Sequence, residues 1–379
     1  MVSIDGSLGE GGGQVLRSAL TLALLTGKTV RIRNIRARRQ KPGLMAQHLK
    51  AVQAAAAVAE AQLEGAALGS TELLFEPHGI CAGDFQFDIG TAGSTSLVLQ
   101  TVFVPLSFAT GPSTVVLAGG THVPQSPRFH YLDLHWAKFM RQTGFAIGLE
   151  LQLAGFCPRG GGRVSAAISP AKTLHPLRIT ERGDLKGVHG ISAVANLDRQ
   201  VTERHRRQAL ERLAGRCPDI QIEVKELPAP SPGTMLLLAA EFEKSQCCYV
   251  ALGERGKPAE PVADEATDAL LSFLDGDGAV DPYTVEQPTD SNPLKTGALD
   301  LVFLGDCMLG RTVNEILEYE LPEFPWGNVL DLLHKADWRM CNLECVLADG
   351  GEPWSIYPKA FHFRSAAKNV GVLKVARTC

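Results

Sequence analysis

Apolar positions near the start of the chain follow a short alternation and then a helical repeat. A strand pattern ends at Asp5, a glycine-rich turn follows, and apolar residues at helical spacing run on until Gly27. The same order returns in FDIGTAGSTSLVLQTVFVPLSFATGP, where a strand ends at Asp88 and the helix ends at Gly111. The pattern predicts a duplicated strand–turn–helix unit.

Further elements lie between the two copies. LMAQHLKAVQAAAAVAEA has helical spacing, and GAALGSTELLFEPHG is typical of a turn followed by a strand. Each unit therefore mixes strands and helices, and the predicted fold class is α/β with helices layered on a sheet. With 379 residues and 45% hydrophobic content, the chain can bury two or three cores of ordinary domain size.

Charge and cysteine content narrow the class of protein. A formal net charge of -4 excludes a uniformly basic nucleic-acid coat but leaves room for local basic patches. The nine cysteines form no C-x-x-C pair, and an odd number argues against a secreted disulfide framework. The first residues are acidic where a signal peptide needs basic and then apolar ones, and no apolar run reaches the length of a membrane span. We expect a cytoplasmic location.

The glycine-rich turn of the first copy has a possible chemical use. Gly9, Gly11, Gly12 and Gly13 would let backbone amides at a helix N-terminus approach an anion. The stretch is neither a Walker A loop nor a G-x-G-x-x-G fingerprint, because Gln14 replaces the last glycine. A phosphate cradle and a tight packing turn both remain open on this stretch alone.

Charged residues beside the turn favour an anionic ligand. A carboxylate at Glu10, next to a phosphate cradle, calls for a metal ion or a cationic substrate. Arginine offers a planar fork for bidentate phosphate contacts, and RNA is the natural candidate partner, although part of the cluster could be a solvated face. The basic residues are Arg17 on the helix and, beyond it, Arg31, Arg33, Arg36, Arg38, Arg39 and Lys41.

Four segments of the chain resemble the RNA 3′-terminal phosphate cyclases, in the same order and at similar separations. They are DGSLGEGGGQVLRSAL, IRARRQKPGLMAQHL, DIGTAGSTSLVLQT and GFCPRGGG, and the resemblance runs from about Val2 to Gln287. It implies three repeated units with four-stranded sheets and helices on one face, plus a small inserted domain. Such enzymes use ATP and a divalent metal, Mg²⁺ or Mn²⁺, to adenylylate a histidine. AMP then passes to an RNA 3′-phosphate, and the neighbouring 2′-hydroxyl closes a 2′,3′-cyclic phosphate.

The resemblance also implies a set of site residues. Glu10 would coordinate the metal, three arginines would hold phosphates, and two glutamines would lie along the nucleotide site. The stretch from Tyr283 to Gln287 would border the adenine nucleotide, where Glu286 stands in place of the family's usual Asp. The implied ATP- and phosphate-binding residues are Glu10, Arg17, Arg36, Arg39, Gln47, Gln100, Tyr283, Thr284, Val285, Glu286 and Gln287.

The pattern changes after Gln287. PTDSNPLKTG supplies two prolines and turn formers, a linker composition that stops a helix. The family's nucleophilic histidine lies further on, in a segment of the form H-x-x-T-N, which this chain lacks. His334 and His362 are the histidines after the break, and neither has those neighbours. The sequence therefore predicts an incomplete third unit and no identified catalytic nucleophile.

The final segment resembles a different family. LDLVFLGDCMLGRTVNEIL and ADWRMCNLECVLADGGEPW are similar to the opening of capsule or poly-γ-glutamate synthesis proteins, whose fold is that of calcineurin-like metallophosphoesterases. In that resemblance Asp306 and Glu344 would be metal ligands, with Asn342 on the next strand end. The alternative is a fragment left by a gene fusion or deletion, without a working metal site.

These observations predict five segments and leave three functions open. The candidate functions are an RNA 3′-terminal phosphate cyclase acting on RNA with a 3′-phosphate end, an inactive RNA-end-binding relative, and a metallophosphoesterase-like fusion. The charged helix DRQVTERHRRQALERLAG is expected to be a solvated face. The predicted segments are 1–180 (two repeated units), 181–272 (small inserted domain), 273–287 (start of a truncated third unit), 288–298 (linker) and 299–379 (metallophosphoesterase-like fragment).

Overall fold

The computed structural model divides the chain into two compact units. One holds residues 1–175 and 179–281, and the other holds 176–178 together with the described residues after 300. The residues that the structure describes are 1–7, 12–281, 301–307, 309, 312–335, 338–343, 345–350 and 364–376.

The first repeat is a four-stranded sheet covered by two helices. Strands β1 and β2 are parallel, and β4 pairs antiparallel with both β2 and β3, in the order β1-β2-β4-β3. On β2 the apolar side chains of Val30 and Ile32 are buried, whereas Arg33 is exposed. The elements are β1 (Val2–Asp5), α1 (Gly13–Thr26), β2 (Val30–Arg33), α2 (Ala46–Ala59), β3 (Gln62–Glu64) and β4 (Leu73–Glu76).

The second repeat has the same topology. Its sheet runs β5-β6-β8-β7, with β5 and β6 parallel and the other neighbours antiparallel. The helix that corresponds to α2 spans 129–142 and contains a π-helical turn. The elements are β5 (Asp84–Asp88), α3 (Thr95–Leu106), β6 (Ser113–Gly119), α4 (Phe129–Tyr131), the π-helical turn (Leu132–Trp136), α5 (Ala137–Gln142), β7 (Ala146–Leu153) and β8 (Gly162–Ser169). The predicted duplication and the α/β fold class are confirmed.

The alanine-rich helix α2 joins the two repeats. Ala51, Ala54 and Val58 belong to the core of the second repeat, while neighbouring apolar residues of the same helix belong to the core of the first. Helices α1 and α3 also touch directly, because the hydroxyl of Thr21 donates to the carbonyl of Thr101 at 3.0 Å. The two repeats therefore form one packed body.

The third sheet has a different strand order, β10-β9-β11-β12. One face packs under two helices, and the other packs against Tyr131 and Leu132 of the second repeat. Cys247 and Cys248 are buried in β12, as expected from their apolar neighbours. The elements are β9 (Leu185–Ala195), α6 (Gln200–Leu213), β10 (Asp219–Glu226), β11 (Gly233–Phe242), β12 (Gln246–Leu252) and α7 (Ala259–Asp275).

The charged face of α6 is exposed at Arg206 and Arg207, as predicted, but other charged residues of this helix pair with α7. Arg204 forms a bidentate pair with Glu260 at 2.8 and 2.6 Å. Arg212 bridges Asp264 at 2.9 Å and Asp268 at 2.6 Å. Since these guanidinium groups already have carboxylate partners, the side of α6 that pairs with α7 carries an interhelical ion-pair ladder.

The chain that leaves α7 is fastened at two points. The guanidinium of Arg182 donates to the carbonyls of Phe273, Leu274 and Gly276 at 2.7, 3.0 and 2.6 Å, which satisfies the helix C-terminus. Further on, the fully buried Asp281 contacts Nε2 of His135 at 2.6 Å and the hydroxyl of Tyr131 at 3.3 Å. These contacts fix the path of the chain up to Asp281.

The second unit is a small α/β assembly with its own core. Cys307, Leu309, Leu317, Val372 and Leu373 pack together in it. Its elements are β13 (Leu301–Cys307), α8 (Thr312–Ile316), a 3₁₀ helix (Phe324–Val329), α9 (Leu330–Lys335), β14 (Trp338–Leu343), β15 (Val346–Leu347), β16 (Arg364–Ser365), a second 3₁₀ helix (Ala367–Asn369) and α10 (Val370–Val375). In the described part of the chain, no helix has the length and apolar character that crossing a bilayer would require.

Acid should destabilise the small domain, which consists of the third sheet with α6 and α7, through protonation of His205. This residue is fully buried against Ser192, and burial, followed by the charge of Arg204, lowers its pKa from 6.5 to about 4. Unfolding therefore takes up a proton between these values, so stability present above pH 6.5 is lost as the pH falls towards about 4. We expect the free energy of unfolding, measured with urea, to fall less steeply across this pH range in His205→Asn than in the wild type. The difference between the two slopes should reach up to about 1.4 kcal/mol per pH unit.

The exposed His189 on β9 provides the matched control for that measurement. His189→Gln should keep the wild-type pH dependence. Equal slopes for His205→Asn and the wild type would contradict the assignment.

Candidate functional site

The candidate site surrounds the N-terminus of α1. Gly12 caps this helix in an extended conformation, no side chain in the described part of the chain caps it, and its first turn holds no acidic residue. The amide groups of a helix's first turn lack partners within the helix and carry partial positive charge. This end of α1 is therefore suited to an anion.

The two glycines let donor side chains approach this helix end. A Cβ atom added to Gly13 would overlap Nε2 of His48 and lie 3.0 Å from Nη1 of Arg17. A Cβ added to Gly12 would lie 3.1 Å from Nη2 of Arg39. Three nitrogen-bearing side chains thus converge on backbone that only glycine leaves uncovered.

Arg17 is the electrostatic centre of the cluster. Its side chain is buried, and its Nη2 donates to Oε1 of Gln14 at 2.6 Å. Nε has no hydrogen-bond partner, and no carboxylate among the described residues pairs with this guanidinium. Burial lowers the pKa of Arg17 to about 10, so the group stays charged at neutral pH. A buried charge without a counter-charge is costly, and a bound anion would offset that cost.

His48 acts as a neutral donor at this site. Its Nδ1 accepts the backbone N–H of Met45 at 3.3 Å, which leaves the proton of the neutral ring on Nε2, beside Gly13. Burial, then the charges of Arg36 and Arg17, lower the pKa of His48 to about 4. At neutral pH the ring therefore presents an N–H group, not a lone pair, towards the helix end.

Two of the predicted ligands also hold the site together. Arg36 has a positive φ of 54°, and its Nη1 donates to the carbonyls of Lys41 and Gly43 at 2.6 and 3.0 Å, closing the loop after β2. Oε1 of Gln47 accepts the backbone N–H of Ser94 at 2.7 Å. Since Ser94 caps α3, Gln47 connects the first repeat's site to the turn of the second.

Other predicted residues lie away from this cluster or outside the described part of the chain. Gln100 is exposed on α3, next to Thr101, whose carbonyl contacts α1 one turn beyond Arg17. Six residues of the implied nucleotide and metal site fall outside the described residues. They are Glu10, Tyr283, Thr284, Val285, Glu286 and Gln287.

The tail contributes a partial match to its expected metal site. The parallel pairing of β13 and β14 places Asp306 opposite Asn342, while Glu344 lies outside the described residues. Within the described ranges no group of three His, Cys, Asp or Glu residues could hold a metal ion. Nε2 of His334 lies 2.6 Å from the carbonyl of Val375, and His362 is also outside the described residues.

Comparison with known proteins identifies the family of the chain. Residues 8–298 match the family model for RNA 3′-terminal phosphate cyclase. The chain belongs to the RNA 3′-terminal phosphate cyclase family. A protein of that name from Ralstonia nicotianae is 48% identical over 288 residues, covering 76% of this chain and 82% of the relative. Namesakes from Caldivirga maquilingensis and Archaeoglobus fulgidus are 44% and 42% identical, covering 75% and 76% of this chain and 82% and 85% of their own lengths.

The tail is similar to a separate family. Residues 300–378 match the model described as bacterial capsule synthesis protein PGA_cap. Among solved structures, the enolpyruvyl transferase NikO from Streptomyces tendae is 16% identical with a TM-score of 0.28, covering 45% of this chain and 33% of its own. Both predicted resemblances are confirmed, and membership of the cyclase family makes the chain, by family, an enzyme.

Gly13→Ala tests the close approach at the helix end. The added methyl would displace His48, whose ring is held by Met45, so we expect pyrophosphate binding to weaken about tenfold or more, the effect of losing a hydrogen bond to a charged group. Isothermal titration at low salt measures this, with thermal unfolding as the check on folding.

Gly12→Ala is the matched control, because its methyl meets only the flexible end of Arg39. It should cost less affinity than Gly13→Ala. A reversed order would contradict the arrangement described for His48.

Proposed function

We propose that this cyclase-family chain binds the phosphate of a 3′-phosphorylated RNA end, and the phosphates of ATP, at the N-terminus of α1, without forming a covalent adenylate. The observation that carries this proposal is the buried Arg17, charged and without a carboxylate partner among the described residues. The names of the cyclase relatives supply the substrate class, an RNA 3′ terminus.

The donors at this helix end match a terminal phosphate better than a hydroxyl. A phosphomonoester carries up to two negative charges and three acceptor oxygens. The donors are the guanidinium groups of Arg17 and Arg39, the N–H of His48 and the amides after Gly12. Charge-assisted hydrogen bonds are about twice as strong as neutral ones. An RNA 3′-hydroxyl offers no charge to this set.

ATP and the divalent metal enter through the family resemblance. The metal, Mg²⁺ or Mn²⁺, would neutralise phosphate charge, and Glu10 is its proposed ligand. Glu10 itself lies outside the described residues. Arg36, Gln47, Gln100 and the stretch 283–287 remain proposed contacts of the nucleotide.

Four described histidines have contacts that do not suit the role of the family's nucleophile at this site. His48 presents a protonated Nε2, and His135 is bound to Asp281. His205 lies in the core of the small domain, and His334 contacts a backbone carbonyl in the second unit. In-line attack on the α-phosphate needs an unprotonated nitrogen held within about an ångström of the correct position. We therefore propose that the chain resembles RNA-end-binding relatives that lack the adenylylation step.

Further parts of this proposal rest on the sequence. We propose the cytoplasm as its location, because RNA ends and reduced thiols are both found there. We also propose the domain division predicted from the sequence, with segments 1–180, 181–272, 273–287, 288–298 and 299–379. A metallophosphoesterase-like activity of the tail is the second candidate, favoured by the pairing of Asp306 with Asn342.

The chain should bind a 3′-phosphorylated RNA more tightly than the same RNA with a 3′-hydroxyl, by about tenfold or more at low salt. Fluorescence anisotropy with the two oligomers measures the ratio of their Kd values. Arg17→Ala should abolish the preference, whereas Arg33→Ala, on the exposed face of β2, should keep it. Equal affinity of the wild type for the two ends would remove the RNA-end proposal.

The purified chain should not become labelled when incubated with [α-³²P]ATP and Mg²⁺ or Mn²⁺. Denaturing electrophoresis before and after acid treatment detects a histidine phosphoramidate, which acid cleaves. The Ralstonia nicotianae relative serves as the positive control. An acid-labile band that disappears in His48→Ala, His334→Ala or His362→Ala would show that a substitute nucleophile exists.

A further inference from the structure

The duplication gives His48 a counterpart in the second repeat. In the first repeat a loop leads from β2 to α2, and His48 lies in the first turn of that helix. In the second repeat a loop leads from β6 to the helix 129–142, and His130 lies in its first turn. The two sheets have identical strand order, so the two histidines occupy corresponding places in the repeated fold.

A chain of hydrogen bonds fixes the proton positions around His130. The backbone N–H of Gly155 donates to Oγ1 of Thr121 at 2.9 Å. Nδ1 of His122 lies 2.7 Å from the same oxygen, and we assign the Thr121 hydroxyl as the donor there because its proton has no other acceptor among the described residues. The proton of a neutral His122 is then on Nε2, which donates to Nδ1 of His130 at 2.8 Å. His130 must therefore carry its own proton on Nε2.

The surroundings of the pair keep both rings neutral and fixed. His122 is buried, with Phe156 stacked on it at 5.1 Å between centroids. His130 is only 8% exposed, yet its Nε2 has no hydrogen-bond partner among the described residues and is not sealed from solvent. Burial lowers the pKa of both histidines, to about 4 for His130. The result is a single immobilised N–H donor at the end of the relay.

Two cations act electrostatically on this pair of histidines. The positive charge of Lys225 acts on His130, and that of Arg128 acts on His122. Lys225 comes from β10 of the small domain and also pairs with Glu223 at 2.9 Å, which reduces but does not cancel its field. A donor with flanking cations is suited to an anionic oxygen.

A series of backbone and side-chain contacts connects the first site with this one. Gln47, next to His48, holds the N–H of Ser94, Ser94 pairs with Gly120, and Thr121 begins the relay. The three phosphates of ATP are bonded in series and would lie together at one helix end. A separate donor in the next repeat instead suits the next phosphate along an extended nucleic-acid strand.

We propose that Nε2 of His130, with Lys225 and Arg128, forms a second subsite that receives a phosphodiester oxygen of the RNA, on the 5′ side of the terminal phosphate. The inference rests on the proposed function of the first site. It assigns the second repeat and the small domain a share in holding the RNA strand.

The test compares three ligands: uridine 3′-monophosphate, an RNA hexamer ending in a 3′-phosphate, and ATP. Competition binding gives the ratio of the Kd of the mononucleotide to that of the hexamer. His130→Phe, which keeps the ring shape without the donor, should reduce this ratio about tenfold and leave ATP unchanged. His130→Gln, whose amide nitrogen can replace the Nε2 donor, should restore it.

Controls separate this proposal from the first one. Arg17→Ala should weaken all three ligands, and its failure to do so would overturn the proposed function while leaving the His130 ratio measurable. Lys225→Gln, which lies outside the relay, should lower the ratio as well and serves if His130→Phe does not fold. An unchanged ratio in the folded variants, or a loss of ATP affinity instead, would overturn the second subsite.

Discussion

The packing of α2 between the two repeats is the constraint on which the rest depends. Ala51 and Ala54 pack in the core of the second repeat, and Ala55 and Ala59 pack in the core of the first. Both buried faces of this helix therefore carry short side chains. Small residues allow the helix axes to come close. The first turn of the same helix then delivers adjacent side chains in two directions, Gln47 to the second repeat and His48 to the first. A bulkier helix would separate the two ends that these residues connect.

The energetics of Arg17 favour an anion-binding site over a packing turn at this place. Hydrogen bonding to Gln14 satisfies one nitrogen but supplies no opposite charge. An arginine buried in this way lowers the stability of the empty protein, and that loss is recovered when an anion enters. His48 behaves differently, because burial keeps it uncharged and it contributes direction instead of charge. Arg17 thus supplies the charge that attracts an anion, and His48 supplies a donor that orients it.

Local patterns in the sequence predicted the repeats and the helix that carries Arg17, because strand and helix periodicity is set by neighbouring residues. The pairing of α6 with α7 could not be predicted in the same way, since its partners are 56 residues apart. The contact of Gln47 with Ser94 joins residues 47 apart, and that of Tyr131 with Asp281 joins residues 150 apart. Such pairs depend on how whole elements pack, and nothing in the spacing of arginines along α6 distinguishes a ladder from a solvated face.

The buried carboxylate of Asp281 has an evolutionary consequence. Its contacts with Tyr131 and His135 tie the end of the cyclase body to residues made much earlier in the chain. During synthesis, the two repeats and the small domain can close on this residue as soon as it emerges. Sequence added beyond this codon would therefore leave these buried contacts in place, which makes the position tolerant of an extension. A segment resembling capsule synthesis proteins follows within twenty residues of it.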